Sequence, residues 1–457
     1  MGNLPVIITI VNWLTSKGIL KAGVVLLVIF FGYLSIHPFL TAWVGTLTEV
    51  YAPIKIWKDV LIGLISICVV LYILTNDHLR EKVIKDPILL LSGAYVALTL
   101  FIFILGLPHA NESDFAGIIF NLRFIALLFI IRVFMLSLAR PSKQVQGSFD
   151  FIAKKVVVIA SFVALFGIAQ VLVLPDNFMS HFGYDGLNTI NPISTIDDNT
   201  EARRAFSTLR GPNEFGAYLI IPILLCGEIF LRTRKWQYGL GVLVMATGLY
   251  LSHSRAAFLG LVVAVTIFSS LWFYRRFGKR VIMFGTLGAV LLFVLALFVA
   301  VNYEPARIIV FHSSSGDDSL IEGSTFDHFN ATFQGIKDVI KHPLGRGVGE
   351  AGPASFYQTD GEQPRIAENY YVQIAQEVGI LGLLLFISIV VLSLRQVLLM
   401  KNVPYSKSFF AGFVGVSVVA LFLHTWADDP VSYTAWGLMA VILANNILPS
   451  SRFTKNT

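Results

Sequence analysis

Charge is scarce in this sequence: Asp, Glu, Lys and Arg make up 14% of its 457 residues, while 56% are hydrophobic. Together with a mean hydropathy of +0.74, that balance excludes an ordinary soluble domain, in which about a quarter of residues are charged. Cysteine is almost absent. Cys68 and Cys226 both fall inside apolar runs, read as small core residues and carry no information about disulfides or redox compartment. The N-terminus lacks the charged region, short apolar core and small-residue cleavage site of a removed signal peptide. Residues 4–15, "LPVIITIVNWLT", are too short to span and are expected in the interface or against the bundle. Also missing is the internal symmetry, two matching halves with interrupted helices, that marks inverted-repeat transporters.

What the chain does have is a succession of apolar runs of about 20 residues, the length needed to cross roughly 30 Å of hydrocarbon. About twelve are expected, centred in 22–40, 58–75, 87–106, 116–138, 156–174, 214–232, 236–252, 256–274, 280–301, 378–396, 408–425 and 431–448. The fold class that follows is an all-α polytopic membrane protein, with residues 1–457 as one integral membrane domain.

Orientation follows from lysine and arginine. One set of segments carries Lys17, Lys21, "LREKVIK", Arg140, Lys143, Lys154, Lys155, "RTRK", "RRFGKR", Arg395, Lys401, Lys407, Arg452 and Lys455. The opposite short loops carry almost none, apart from Lys55, Lys58 and Arg255. The positive-inside rule makes the first set cytoplasmic, with both termini inside. The net charge of +6 is thereby accounted for, and it gives no ground for a nucleic-acid partner.

Two connections are long, 175–213 and 302–377, and both fall on the outer side. Long loops tend to carry function. In the second, Phe326, Phe329, Phe333, Ile336 and Ile340 recur at helical spacing, with Ser324 or Thr325 placed to cap. An amphipathic helix is expected there, ending before His342 and Pro343. Gly345, Gly347 and Gly349 then permit a sharp return toward the membrane.

The polar residues cluster in outer-side stretches: "RRAFSTLRGPNEFGAYL" (203–219), "HSRAAFLGL" (253–261), "HPLGRGVGEAG" (342–352) and "AENYYVQIAQEVGILGLLLF" (367–386). In order and spacing they resemble the O-antigen ligase and polymerase superfamily of bacterial envelope glycan assembly, over essentially the whole chain. The resemblance implies glycosyl transfer at the outer face of the bacterial cytoplasmic membrane. A glycan leaves a polyprenyl diphosphate and joins an acceptor hydroxyl, which belongs to another lipid-linked repeat in polymerases and to a lipid core or protein in ligases. It also implies a metal-free reaction. No His/Asp cluster with metal-ligand spacing stands on the outer side, and no cofactor is expected.

Without a divalent cation, guanidinium groups are the natural partners of a departing diphosphate. Arg255, in a tight hairpin, is the first candidate, and Arg204 matches the family's arginine before the Pro-Asn turn. Arg203 and Arg210 compete for the latter role. Where family ligases carry a histidine directly before an asparagine, this chain has Glu368 and Asn369, which departs from the ligase pattern and leans toward a polymerase. Glu368 is the candidate base, with His342 as an alternative. Asn213, Glu214, Arg346, Asn369, Tyr370, Tyr371 and His253 are candidates for holding substrate. Arg123 is expected either to face the same cavity or to pair with an acid, and Arg132 to snorkel at the cytoplasmic end. Asp428 and Asp429 in "HTWADDP", a tight outer loop, read first as a plain turn before Pro430, with countering the arginines electrostatically or touching the acceptor as the alternatives. Membrane lipids, the lipid-linked donor, the acceptor, a chain-length regulator and a flippase are the expected partners. Two competing functions remain, a small-anion transporter with arginines along its path and a non-catalytic assembly partner.

Overall fold

The computed structural model describes residues 16–137, 143–187, 189–196, 199–274, 278, 318–358, 363–400 and 403–444. In chain order the described helices of eight residues or more are α1 (Ser16–Thr48), α2 (Tyr51–Thr75), α3 (Asp77–Ile84), α4 (Pro87–Gly106), α5 (Glu112–Ser137), α6 (Lys143–Leu172) and α7 (Pro212–Thr233). They continue with α8 (Trp236–Leu251), α9 (Arg255–Tyr274), α10 (Asp318–Lys341), α11 (Tyr370–Leu399), α12 (Ser406–Val419) and α13 (Asp429–Leu443). Eight of them are long and apolar enough to cross a membrane: α1, α2, α4, α5, α6, α7, α9 and α11. Backbone N–H and C=O groups have no water partners in hydrocarbon, so apolar runs of this length settle as helices. The shorter α8, α12 and α13 occupy three further expected spans. The one expected at 280–301 lies outside the described residues.

Helix starts are set by local chemistry. Asp86 accepts from Ile88 N and Leu89 N ahead of Pro87, and Asp428 accepts from Val431 N two residues before Pro430. Helix α13 is the centre of the bundle, with all fifteen residues buried. Around Trp436 gather Phe124 (ring centroids 5.3 Å apart), Phe413 (5.2 Å) and Trp426 (5.7 Å). Helices α1, α2 and α9 are the outer ones, with no more than 22% of their apolar windows buried in protein.

At one end of the bundle the connections interlock. A two-stranded antiparallel hairpin, β1 (Thr195–Ile196) and β2 (Asn199–Arg203), lies in the connection between α6 and α7. The chain leaving β2 is pinned to three neighbours: Ala205 N donates to Leu251 O, Ser207 Oγ to Val163 O and Thr208 Oγ1 to Ser35 O. We call this the polar end. The opposite end holds cations such as Arg232, Lys154 and Lys407, whose ammonium donates to Leu271 O. Arg132 lies toward that end but does not snorkel. It is buried, and its guanidinium pairs with Asp86 at 2.7 Å, because Asp86 at the start of α4 supplies a charge inside the bundle.

The expected amphipathic helix is α10. It ends at Lys341 as anticipated, although it starts at Asp318, ahead of the Ser324 or Thr325 cap. The return toward the membrane is sharper than periodicity suggested. Helix α11 is broken at Gly379, whose φ of 78° lies in the left-handed region and whose Cβ would sit 2.6 Å from the carbonyl carbon of Leu344. Residues 370–378 thus form a short first segment, and 380–399 a second.

Candidate functional site

Arg204 is held where β2 delivers it. Its backbone N donates to Ser194 O, its Nε to Ser252 O at 3.0 Å and its Nη2 to Asn213 Oδ1 at 3.1 Å. One guanidinium therefore bridges the α8–α9 turn and the first turn of α7. Gly216 makes this approach possible, since a Cβ there would meet Ala257 Cβ at 2.7 Å. His253, in the same turn, has its pKa lowered by burial and then by the charge of Arg204, so the neutral ring stands beside the cation. Arg255 follows two residues later and opens α9.

Below this bridge lies a cavity of about 210 Å³, lined among others by Arg210, Asn213, Glu214, His424 and Asp428. Arg210 is 31% exposed and reaches a buried acid, with Nη2 3.2 Å from Asp429 Oδ1. Burial opposes its charge, but Asp429, Asp428 and Glu214 outweigh that opposition and hold the guanidinium protonated. Asp429 also meets Lys58 Nζ at 2.9 Å and His37 Nδ1 at 3.2 Å. Lys58 in turn contacts Asp59 at 2.9 Å, and Asp59 Oδ1 accepts from Tyr433 OH at 2.6 Å and lies 3.9 Å from Arg123 Nη1. Arg123 is buried, donates to Ala427 O and stacks over Phe120 and Tyr433. Of the two alternatives for Arg123, the acid pair is therefore realised.

Asp428 differs from its neighbour. Its Oδ1 caps α13, whereas its buried Oδ2 accepts no hydrogen bond among the described residues, and the residue lines the cavity. Burial first, and then the charge of Asp429, raise its pKa well above the usual carboxylate range.

The α10–α11 connection supplies a second wall. Glu368 has a left-handed backbone (φ 53°), and its carboxylate acts electrostatically on His424, a residue of the cavity. His424 Nδ1 is 2.7 Å from Gln373 Oε1. Asn369 serves as the cap of α11, accepting from Tyr371 N and Val372 N, while its Nδ2 donates to Leu421 O. Tyr370 is wholly buried, its ring 5.7 Å from that of Phe386. Arg346 forms a two-pronged pair with Asp338 of α10, with Nε at 2.8 and 2.9 Å from the two carboxylate oxygens. Arg203 pairs with Asp176 at 2.5 Å. The structure thus gathers Arg204, Arg210, Asn213, Glu214, His253 and Glu368 around one region. It assigns Arg203, Arg346, Asn369 and Tyr370 to pairs, a cap and the core.

Two comparisons bear on this geometry. Residues 240–387, which hold the α8–α9 turn, α10 and the first segment of α11, match the family model described as O-antigen ligase. The chain is also 24% identical over 346 residues to an O-antigen polymerase of Salmonella muenchen, covering 73% of this chain and 80% of that protein. Over these stretches the chain is similar to the O-antigen ligases and polymerases.

Beside that similarity, the residues to which sequence reasoning gave least weight are instructive. Asp429, for which countering the arginines is the alternative to a plain turn, does pair with Arg210, whereas His424 of the same stretch and Lys58, Asp59 and His37 of apolar helices are not among the candidates. The available signal was charge in apolar surroundings: Lys58 and Asp59 are adjacent in α2, where an unpartnered ion is unfavourable. Nothing in the linear sequence says that Asp429, 370 positions away, completes the set.

Proposed function

We propose that the protein is a membrane glycosyltransferase that moves glycan from a polyprenyl-diphosphate carrier to an acceptor hydroxyl, and that it polymerises lipid-linked repeats of a surface polysaccharide. The observation that carries this reading is the cavity at the polar end, with Arg210 presented to it by Asp429 and Arg204 braced beside it. Guanidinium groups bind phosphate oxygens in a fixed fork. Those of Arg204, Arg210 and Arg255 would stabilise the diphosphate as the anomeric carbon–oxygen bond breaks. The acceptor oxygen forms the new bond to that carbon and gives up its proton to a base.

Glu368 is the base this reading favours, at the place where superfamily ligases carry histidine; its absence supports polymerase over ligase. Asp428 is a second candidate, favoured by one specific observation: a buried carboxylate oxygen with no hydrogen-bond partner among the described residues, in the cavity wall. The distribution of lysine and arginine supports a cytoplasmic location for both termini and an outward-facing polar end, in a bacterial cytoplasmic membrane. A flippase that delivers the donor and a chain-length regulator fit this placement.

The test is glycan length in cells carrying Arg255→Ala, Arg204→Ala, Arg210→Ala or Glu368→Gln, with membrane expression measured for each. Accumulation of single lipid-linked repeats and loss of long polymer is the expected result. Long lipid-linked chains that stay unattached to their final acceptor would reassign the protein as a ligase. Unchanged glycans in well-expressed variants would overturn the catalytic reading and favour a small-anion transporter.

A further inference from the structure

Helix α10 has two unlike faces. One is fastened to the first segment of α11: Thr332 Oγ1 donates to Ala367 O at 2.8 Å, Gln376 Nε2 donates to Asp338 Oδ2 at 3.0 Å, and a Cβ on Gly335 would meet Val372 at 2.7 Å. On the opposite side stand Phe333, Ile336 and Ile340, spaced three and four apart, and Leu344 follows one turn further on. They are 54%, 44%, 73% and 85% exposed, which is too much apolar surface for a helix bathed in water.

Charge and position say what covers it. Lys337 and Lys341 flank the apolar stripe, and Lys337 Nζ lies 4.3 Å from the centre of the Phe333 ring. An apolar stripe edged by lysine is the pattern of a helix lying in a membrane interface. The C-terminal end of α10 is also close to the bilayer, because Pro343 O accepts from Ile380 N, the first residue of the spanning segment of α11. Immediately beyond, Ile380, Leu381 and Leu384 are exposed on α11, where lipid begins.

We infer that α10 is an interfacial anchor, with Phe333, Ile336, Ile340 and Leu344 set into the boundary between headgroups and acyl chains, and Lys337 and Lys341 on anionic headgroups. It fixes the height of the 342–349 turn over the membrane and, through Arg346 and Asp338, of the first segment of α11. This depends only on the chain being a membrane protein, not on the reaction it catalyses.

The test uses the full chain in vesicles. With the exposed Cys68 changed to Ser, an environment-sensitive fluorophore is placed at Ile340→Cys, at Phe333→Cys or at Gln334→Cys, the last an exposed position outside the stripe. Lipids with nitroxide on the upper acyl chain quench from the membrane, and iodide quenches from water. Lipid quenching at 340 and 333 should exceed that at 334 severalfold, with iodide in the reverse order. It should strengthen when phosphatidylglycerol is added to phosphatidylcholine. Equal quenching at 340 and 334 overturns the anchor, as does shielding of 340 from both quenchers, which would indicate a protein partner or a second copy. Quenching that ignores phosphatidylglycerol overturns the role of the lysines. Two labelled sites on the stripe guard against a single variant that fails to fold.

Discussion

Lys58→Met probes the charge network beneath the cavity at its most buried point. The ammonium group has three hydrogens and meets three oxygens, Lys55 O, Asp59 Oδ2 and Asp429 Oδ2, each at 2.9 Å. Its side chain is 1% exposed, so the ammonium group is shielded from bulk solvent. Removing one partner of a buried ion pair costs about 3–5 kcal/mol, because the other charge stays behind in low dielectric. Asp429 keeps Arg210 and His37, and Asp59 keeps the Tyr433 hydroxyl, so the lower end, about 3 kcal/mol, is expected. That corresponds to roughly a 100-fold shift in the folding equilibrium. The assay is the heating midpoint of the detergent-purified protein, followed by size-exclusion recovery. The double variant Lys58→Met/Asp429→Asn should cost less than the sum of the singles by about 1–3 kcal/mol, since it removes both charges together. A Lys58→Met protein as heat-stable as the parent, or strict additivity in the double variant, would refute the reasoning.

Three further outcomes follow from the same structure. Gly349→Ala should lower heat stability by more than about 1–3 kcal/mol, the usual range for one strained residue, because φ is +88° and the new Cβ would sit 2.1 Å from Ser113 O; parental recovery after heating would contradict this. Burial pushes the Asp338 carboxyl up, but hydrogen bonds from Arg346 and Gln376 outweigh it and hold the group below the usual range. The α10 clasp is then complete above the unfolded carboxylate range, about pH 4, and is lost as pH falls through the depressed folded value, which proteolysis near Lys341 at stepped pH would report. For catalysis, if Asp428 is the base, its raised pKa places the acid limb of kcat/KM above the usual carboxylate range, and Asp428→Asn should remove that limb and lower the rate about 10²–10⁴-fold. Loss of that size in Glu368→Gln, with Asp428→Asn near parental, assigns the proton transfer to Glu368.

Helix positions were legible because lipid forces them: runs such as 87–106 have no alternative to a helix, and Asp86 before Pro87 announces its start. The amphipathic stripe of α10 was legible too, since its period is local. The pairing of charges was less so. Arg132 looked like a snorkelling residue because nothing near it in sequence is acidic, whereas its partner Asp86 is 46 residues away. Arg346 looked available for substrate until the helix that carries Asp338 folded beside it. The turn at 424–429 was legible only as a choice between a plain turn and a counter-charge for the arginines. "HTWADDP" has the composition of any surface turn, and only the packing of α13 through the centre of the bundle puts His424, Asp428 and Asp429 under the cavity.

The break at Gly379 has a practical meaning for anyone editing this chain. Arg346 N donates to Gln376 O, Gly347 N to Glu377 O and Ile380 N to Pro343 O, so the broken helix borrows its missing partners from the 343–347 turn, more than 20 residues earlier in the chain. Gly349 closes the other side, with its N donating to Glu377 Oε1 while its Cα hydrogens lie against the start of α5. Such a segment has a fixed length. Epitope tags or single-residue insertions between 342 and 349 should be rejected, even though the sequence there is polar and glycine-rich and looks like an ordinary place to cut and splice.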